Sequence, residues 1–245
     1  MFRVHIRHPK HALLPIFKSN DLVHDALITG LHATGMSLDR LVGANAEPFT
    51  FATHAFARAN GLVLRGITVS TPSAELARAL AQLDPGTCRY ARARTGEALS
   101  LEGASLERID CPIVAGVSRV GMLLLSPLVL DDPSAKGRWL EHFDAAVVST
   151  AVNRQLSRHA ERQVALEVMA DSLYLRLNPR PRRRVVIKIE AGREHYVFGL
   201  VLPLVLEGPT DDLRLAWAAG IGRKTRLGFG CLGLAEHGLS GRAAA

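Results

Sequence analysis

The chain is short of aromatic residues, cysteine and lysine, and each shortage excludes something. Aromatics make up 5% of the 245 residues, so base stacking cannot dominate any recognition of nucleic acid, which would rest on backbone and shape. Three cysteines, Cys88, Cys111 and Cys231, stand far apart and are odd in number. That argues against a disulfide framework or a zinc knuckle and leads us to expect a reducing cytoplasm. No apolar run approaches the roughly 18 residues of a membrane span, and the first residues alternate in polarity, so neither export nor a membrane partner is expected. Lysine is scarce because 25 of the 30 basic residues are arginine. Arginine suits bidentate phosphate contacts, although base composition of the coding sequence would produce the same bias.

The chain is basic, with a formal charge of +7, which favours a polyanionic partner. Residues 1–115 hold 12 basic against 10 acidic residues and residues 116–245 hold 18 against 13. Five of the seven excess charges therefore fall in the second half, where the partner surface is expected.

Hydrophobic periodicity gives the order of elements. Phe2, Val4 and Ile6 alternate with Arg3, His5 and Arg7 as a first strand. Ser19-Asn20-Asp21 caps a helix reaching about residue 33, whose apolar face is Leu22, Val23, Ala26, Leu27 and Leu31. Strands at 48–56 and 62–70 pair about the Asn60-Gly61 turn. Thr71-Pro72-Ser73 then caps a helix over 73–83, and a fourth strand spans 98–110. This is the ferredoxin-like order, strand, helix, strand, strand, helix, strand. A similar alternation begins after residue 116, with a strand at 122–130, a long helical region at 134–162 and a helical turn near 164–172. Strands near 185–190 and 196–206, a helix at 210–219 and a last strand complete it. The expected fold is α+β, two ferredoxin-like (RRM-like) domains in tandem at 1–115 and 116–245, the second ending in a glycine-rich loop.

That loop reads Gly220-Ile221-Gly222-Arg223-Lys224-Thr225-Arg226-Leu227-Gly228-Phe229-Gly230-Cys231-Leu232-Gly233. Glycine lets main-chain amides approach an anion, and Arg223, Lys224 and Arg226 add charge at the same place. A Walker loop is excluded, because five residues rather than four separate Gly222 from Gly228 and Phe229 follows. A Rossmann fingerprint is excluded by Thr225 and by the late position. A phosphate cradle and a glycine-rich hairpin with solvated charges both remain open.

Three landmarks fall in order: Leu31-His32-Ala33-Thr34-Gly35 with Pro48-Phe49-Thr50-Phe51; Leu125-Ser126-Pro127-Leu128-Val129-Leu130 leading into a long helix; and the terminal glycine segment. Together they resemble the CRISPR-associated repeat-processing endoribonucleases of the RAMP superfamily, over nearly the whole chain. The resemblance implies a protein that binds the repeat of a CRISPR precursor RNA and cuts one phosphodiester without metal or cofactor. The 2′-hydroxyl attacks, leaving a 2′,3′-cyclic phosphate and a 5′-hydroxyl. It implies His32, before a glycine at the end of the first helix, as the catalytic histidine, a position where the helix dipole favours the imidazolium. His54 is a second candidate for the same cleft, and His24 a surface residue. The family's tyrosine and lysine are missing here: no tyrosine precedes Tyr90 and no lysine follows His32 before Lys136. Arg40 is the candidate for the missing charge at the transition state.

For RNA contacts the resemblance points to Arg223, Lys224 and Arg226 with the amides around Gly220, Gly222, Gly228 and Gly230. Arg154, Arg158 and Arg162, spaced by four, form a basic ridge on the long helix or a solvated face. Arg182, Arg183 and Arg184 form a charge run in a proline-containing loop, and Arg89, Arg92 and Arg94 are weaker candidates. The expected partner is repeat RNA, a structured hairpin in preference to a single strand. The alternatives are a catalytically inactive crRNA-binding subunit of an effector complex and a ferredoxin-like module holding a small phosphorylated ligand.

Overall fold

The computed structural model describes residues 1–43, 45–92 and 96–235; Arg94 lies outside them. The first half runs β1 (Phe2–Arg7), β2 (Ile16–Phe17), α1 (Asn20–Ala33), α2 (Leu38–Leu41), β3 (Thr50–Arg58), β4 (Gly61–Thr71), α3 (Ala74–Ala81), β5 (Arg89–Ala91), β6 (Ala98–Ser100) and β7 (Ser105–Arg108). The second runs β8 (Arg119–Leu124), α4 (Ala145–Ala160), β9 (Glu167–Ala170), α5 (Ser172–Leu177), β10 (Arg182–Glu190), β11 (Arg193–Leu200), β12 (Pro203–Glu207), α6 (Thr210–Ala219) and β13 (Leu232–Leu234).

Both main sheets are antiparallel and share one strand order. In the first it is β7-β1-β4-β3, with β2 extending the sheet beside β4. In the second it is β13-β8-β12-β9. The first strand of each unit thus lies between its fourth and third, the ferredoxin-like arrangement, and the fold is the tandem the sequence predicts. The registers Val4↔Val69 and Ile6↔Ile67 put these side chains on one face of the first sheet, against Leu22, Leu27 and Leu31 of α1 and Leu76 and Leu80 of α3. Met122, Val168, Leu204 and Leu206 do the same in the second sheet, against Val148, Val152 and Leu156 of α4 and Leu213 and Trp217 of α6.

Several sequence expectations need correction. The long helical region contains only α4, capped by the Asp144 carboxylate accepting from the Val147 amide; Pro133 and the positive-φ Gly137 keep the preceding stretch irregular. The expected strand at 98–110 is two strands, parted by a turn at Gly103 (φ 75°). The turn at 164–172 is β9 followed by the start of α5, and the strand at 196–206 divides between β11 and β12, which lie in different sheets. Arg182, Arg183 and Arg184 open strand β10 of the β10-β11 hairpin and do not lie in a loop.

Candidate functional site

The glycine segment follows α6 and runs between the halves. Thr50 Oγ1 of β3 donates to the Phe229 carbonyl at 2.9 Å and Asn20 Nδ2 of α1 donates to the Leu227 carbonyl at 3.0 Å. A Cβ on Gly228 (φ 83°) would stand 2.6 Å from the Phe51 ring, and one on Gly230 (φ 64°) would collide with the Ile221 carbonyl. These glycines therefore serve close approach of protein to protein. The amides agree. Gly220 N–H donates to Ala216 O, Gly228 to Thr225 O and Gly230 to Pro127 O, while Gly222 N–H donates to Gln155 Oε1 at 2.5 Å. The phosphate cradle expected at Gly220, Gly222, Gly228 and Gly230 is corrected accordingly: all four residues are buried and their amides are already bonded within the protein.

The basic side chains of the segment reach outward. Arg223 and Lys224 converge with Arg154 and Arg158 of α4 on one groove of about 850 Å³, which His159, Gln155 and Asp131 also line. Arg223 pairs with Asp131, and the Lys224 ammonium lies 5.6 Å over the Trp139 ring. Two candidate sets that the sequence kept apart thus become one surface. Arg162 is not part of it: its guanidinium meets Asp212, a buried carboxylate that also accepts the Ala165 amide. Gln155 and His159 escaped the sequence reading. A glutamine gives no signal beyond its place between Arg154 and Arg158, whereas the adjacency of His159 to Arg158 is a signal that could have found it. Desolvation, then Arg158 and Arg226, hold the His159 imidazole below its ordinary pKa.

Arg226 turns toward the first half. Its Nη1 donates to the Leu41 carbonyl of α2 at 3.4 Å, and burial lowers its pKa. Around α2, His32 is exposed at the end of α1, with Nδ1 2.7 Å from the Met36 carbonyl. A carbonyl only accepts, so Nδ1 carries the proton and Nε2 is left for chemistry. Arg40 is committed to Glu47 and, at 2.8 Å, to Glu75.

His54 is placed differently from the expectation. The registers His54↔Gly66 and His5↔Thr68 set it on the sheet face opposite α1 and α3, where its ring packs 4.8 Å from His5 and its Nε2 meets Thr68 Oγ1 at 2.8 Å. The structure does not bring it to His32. Of the remaining candidates, Arg182 pairs with Glu141 over the Phe198 ring, and Arg184 pairs with Glu194 over Tyr196. Arg183 points to the other face, with no ion pair among the described residues. Arg92 ties Asp21 and Asp25 of α1 to Glu97, a structural use.

Residues 116–234 match the family described as CRISPR associated protein Cas6, C-terminal. Among solved structures, a protein described as Cas6-related, from Pyrococcus furiosus, superposes with a TM-score of 0.70 at 14% identity, over 96% of this chain and 98% of that one. A RAMP protein described as binding different RNA substrates gives 0.65 at 14% identity, over 96% and 99%. A Cas6 product complex gives 0.57 at 16% identity, over 94% and 97%. No match is found among curated proteins.

Proposed function

We propose that this chain, a CRISPR-associated RAMP-type protein whose residues 116–234 carry the Cas6 C-terminal domain, binds the repeat of a CRISPR precursor RNA in the cytoplasm and cuts it once. One observation carries the binding half: Arg154, Arg158, Arg223 and Lys224, from two separate elements, line a single groove with one carboxylate, Asp131, among them. Such a surface holds a polyphosphate backbone, and a hairpin stem presents that backbone at regular spacing. We place the division between an N-terminal catalytic and a C-terminal RNA-binding domain near residue 115, just after Ile109, Cys111 and Ile113, the first residues to join the second hydrophobic core.

Cleavage follows from His32. With Nδ1–H held on the Met36 carbonyl, neutral Nε2 accepts the proton of the attacking 2′-hydroxyl, and protonated Nε2 returns one to the departing 5′-oxygen. The 2′-oxygen forms its bond to phosphorus as the 5′-oxygen leaves, so no metal is required by this route. Because Arg40 is neutralised by Glu47 and Glu75, we assign the charge that meets the phosphorane to Arg226, which reaches the Leu41 carbonyl of α2 and has no ion pair among the described residues.

The test is incubation with the cognate repeat RNA in EDTA. A single cut with a cyclic phosphate end is expected, slowed roughly 10²- to 10⁴-fold in His32→Ala. Undiminished cutting in that variant removes His32 from the mechanism. The neutralised Arg40 also favours a second reading, an RNA-binding subunit that does not cut; binding without any cut by the unaltered protein would establish it.

A further inference from the structure

On the face of the first sheet opposite α1 lies a second pocket, of about 540 Å³, within the range of roughly 300–1,000 Å³ usual for small-molecule sites. It is formed by the end of β1, the segment that leaves it, and the β3-β4 ladder. Its polar lining is His5, His8, His54, Arg7, Lys10 and Arg65, without a carboxylate. Arg7, Lys10 and Arg65 are exposed and have no ion pair among the described residues. The pocket is built rather than incidental. His8 is 7% exposed, yet its buried Nε2 has no hydrogen-bond partner. At Gly66 a Cβ would stand 2.6 Å from the Ile6 carbonyl and 3.0 Å from His5 Nε2, so glycine there serves the strand pairing as well as the His5 ring.

We infer that this pocket binds the phosphate group of a nucleotide, either a free mononucleotide or one residue of a single-stranded RNA. Three unneutralised cations supply attraction, and the His5, His8 and His54 side chains line the same cavity beside them. Desolvation holds His5 and His8 below their ordinary pKa, aided at His5 by Arg7. Desolvation, His5 and Arg7 push His54 down to about 4. All three imidazoles are thus mainly neutral at pH 7, and a bound phosphate raises their proton affinity. Repeat cleavage is not needed for this site, and its test uses the free protein.

Inorganic phosphate, AMP and a tetraribonucleotide are titrated against the full chain while the imidazole Cε1 protons are followed by NMR. Each probe is expected to shift the resonances of His5, His8 and His54 and to raise their titration midpoints. Arg65→Ala and Lys10→Ala, both at exposed positions, should each weaken AMP binding by at least about tenfold. Tighter binding of the tetraribonucleotide than of AMP identifies an RNA strand as the source; equal affinity identifies a free nucleotide. Unmoved histidine resonances with all three probes, or unchanged AMP affinity in both variants, overturn the site.

Discussion

Arginines that look alike along the chain perform different work. Arg154 and Arg158 face the groove shared with Arg223 and Lys224, whereas Arg162, the next in the series of four, holds the Asp212 carboxylate, which is 2% exposed. Salt dependence separates the two uses. Arg154→Ala, Arg223→Ala and Lys224→Ala should each flatten the slope of log affinity for single-stranded RNA against log salt by about 0.7. Arg162→Ala should leave the slope unchanged and instead lower unfolding stability by on the order of 2 kcal/mol, since a buried acceptor loses its charged partner. Filter binding across a salt series, with urea denaturation of the same variants, reads both outcomes. Arg40 belongs to neither class, because Glu47 and Glu75 have already consumed its charge.

At the scale of elements, local chemistry was legible and distant chemistry was not. The alternation of β1, the Asn60-Gly61 turn and the Ser73 cap, whose side chain accepts from the Leu76 amide, could all be read from neighbours a few residues apart. So could the order of elements that defines the fold. The helix expected at 134–162 failed because period alone outweighed Pro133 and Gly137. The glycine segment was legible as a place where backbone comes close to something, but not as to what. Its partners, Thr50 and Asn20, are 179 and 207 residues away. Its role as a strap between elements makes Gly230→Ala a sharp probe. The substitution meets both a positive φ and the Ile221 carbonyl, so a loss of about 3 kcal/mol or more is expected by chemical denaturation. A phosphate cradle would have predicted lost RNA affinity at unchanged stability.

On the scale of the whole molecule, the two sheets are fastened by a buried arginine. Arg3, on the polar side of β1, is 3% exposed. Its Nη2 donates to the Trp217 carbonyl of α6 at 2.6 Å, and its guanidinium lies 3.7 Å over the Trp217 ring. With the strap on Thr50 and Asn20, this makes each half part of the other's surface. Calorimetry is expected to show one unfolding transition for both halves. Arg3→Ala should lower its midpoint, with a stability loss of roughly 2–4 kcal/mol from the unpaired carbonyl and the lost ring contact. Two resolved transitions in the unaltered protein would show that the fastening does not couple the halves.

The Arg3 contact also orders events in time. During synthesis the first sheet has all its strands once β7, ending at Arg108, has emerged, but the acceptor for Arg3 lies 214 residues further along the chain. Until α6 leaves the ribosome, a guanidinium destined for the interior stays hydrated and the sheet face around Ser70 and Thr50 stays open. Closing so long a loop adds little entropic cost over a shorter one, because that cost grows only with the logarithm of its length. The wait is therefore kinetic: the early sheet carries an unfinished face until α6 and the glycine segment, made long after β7, seal it.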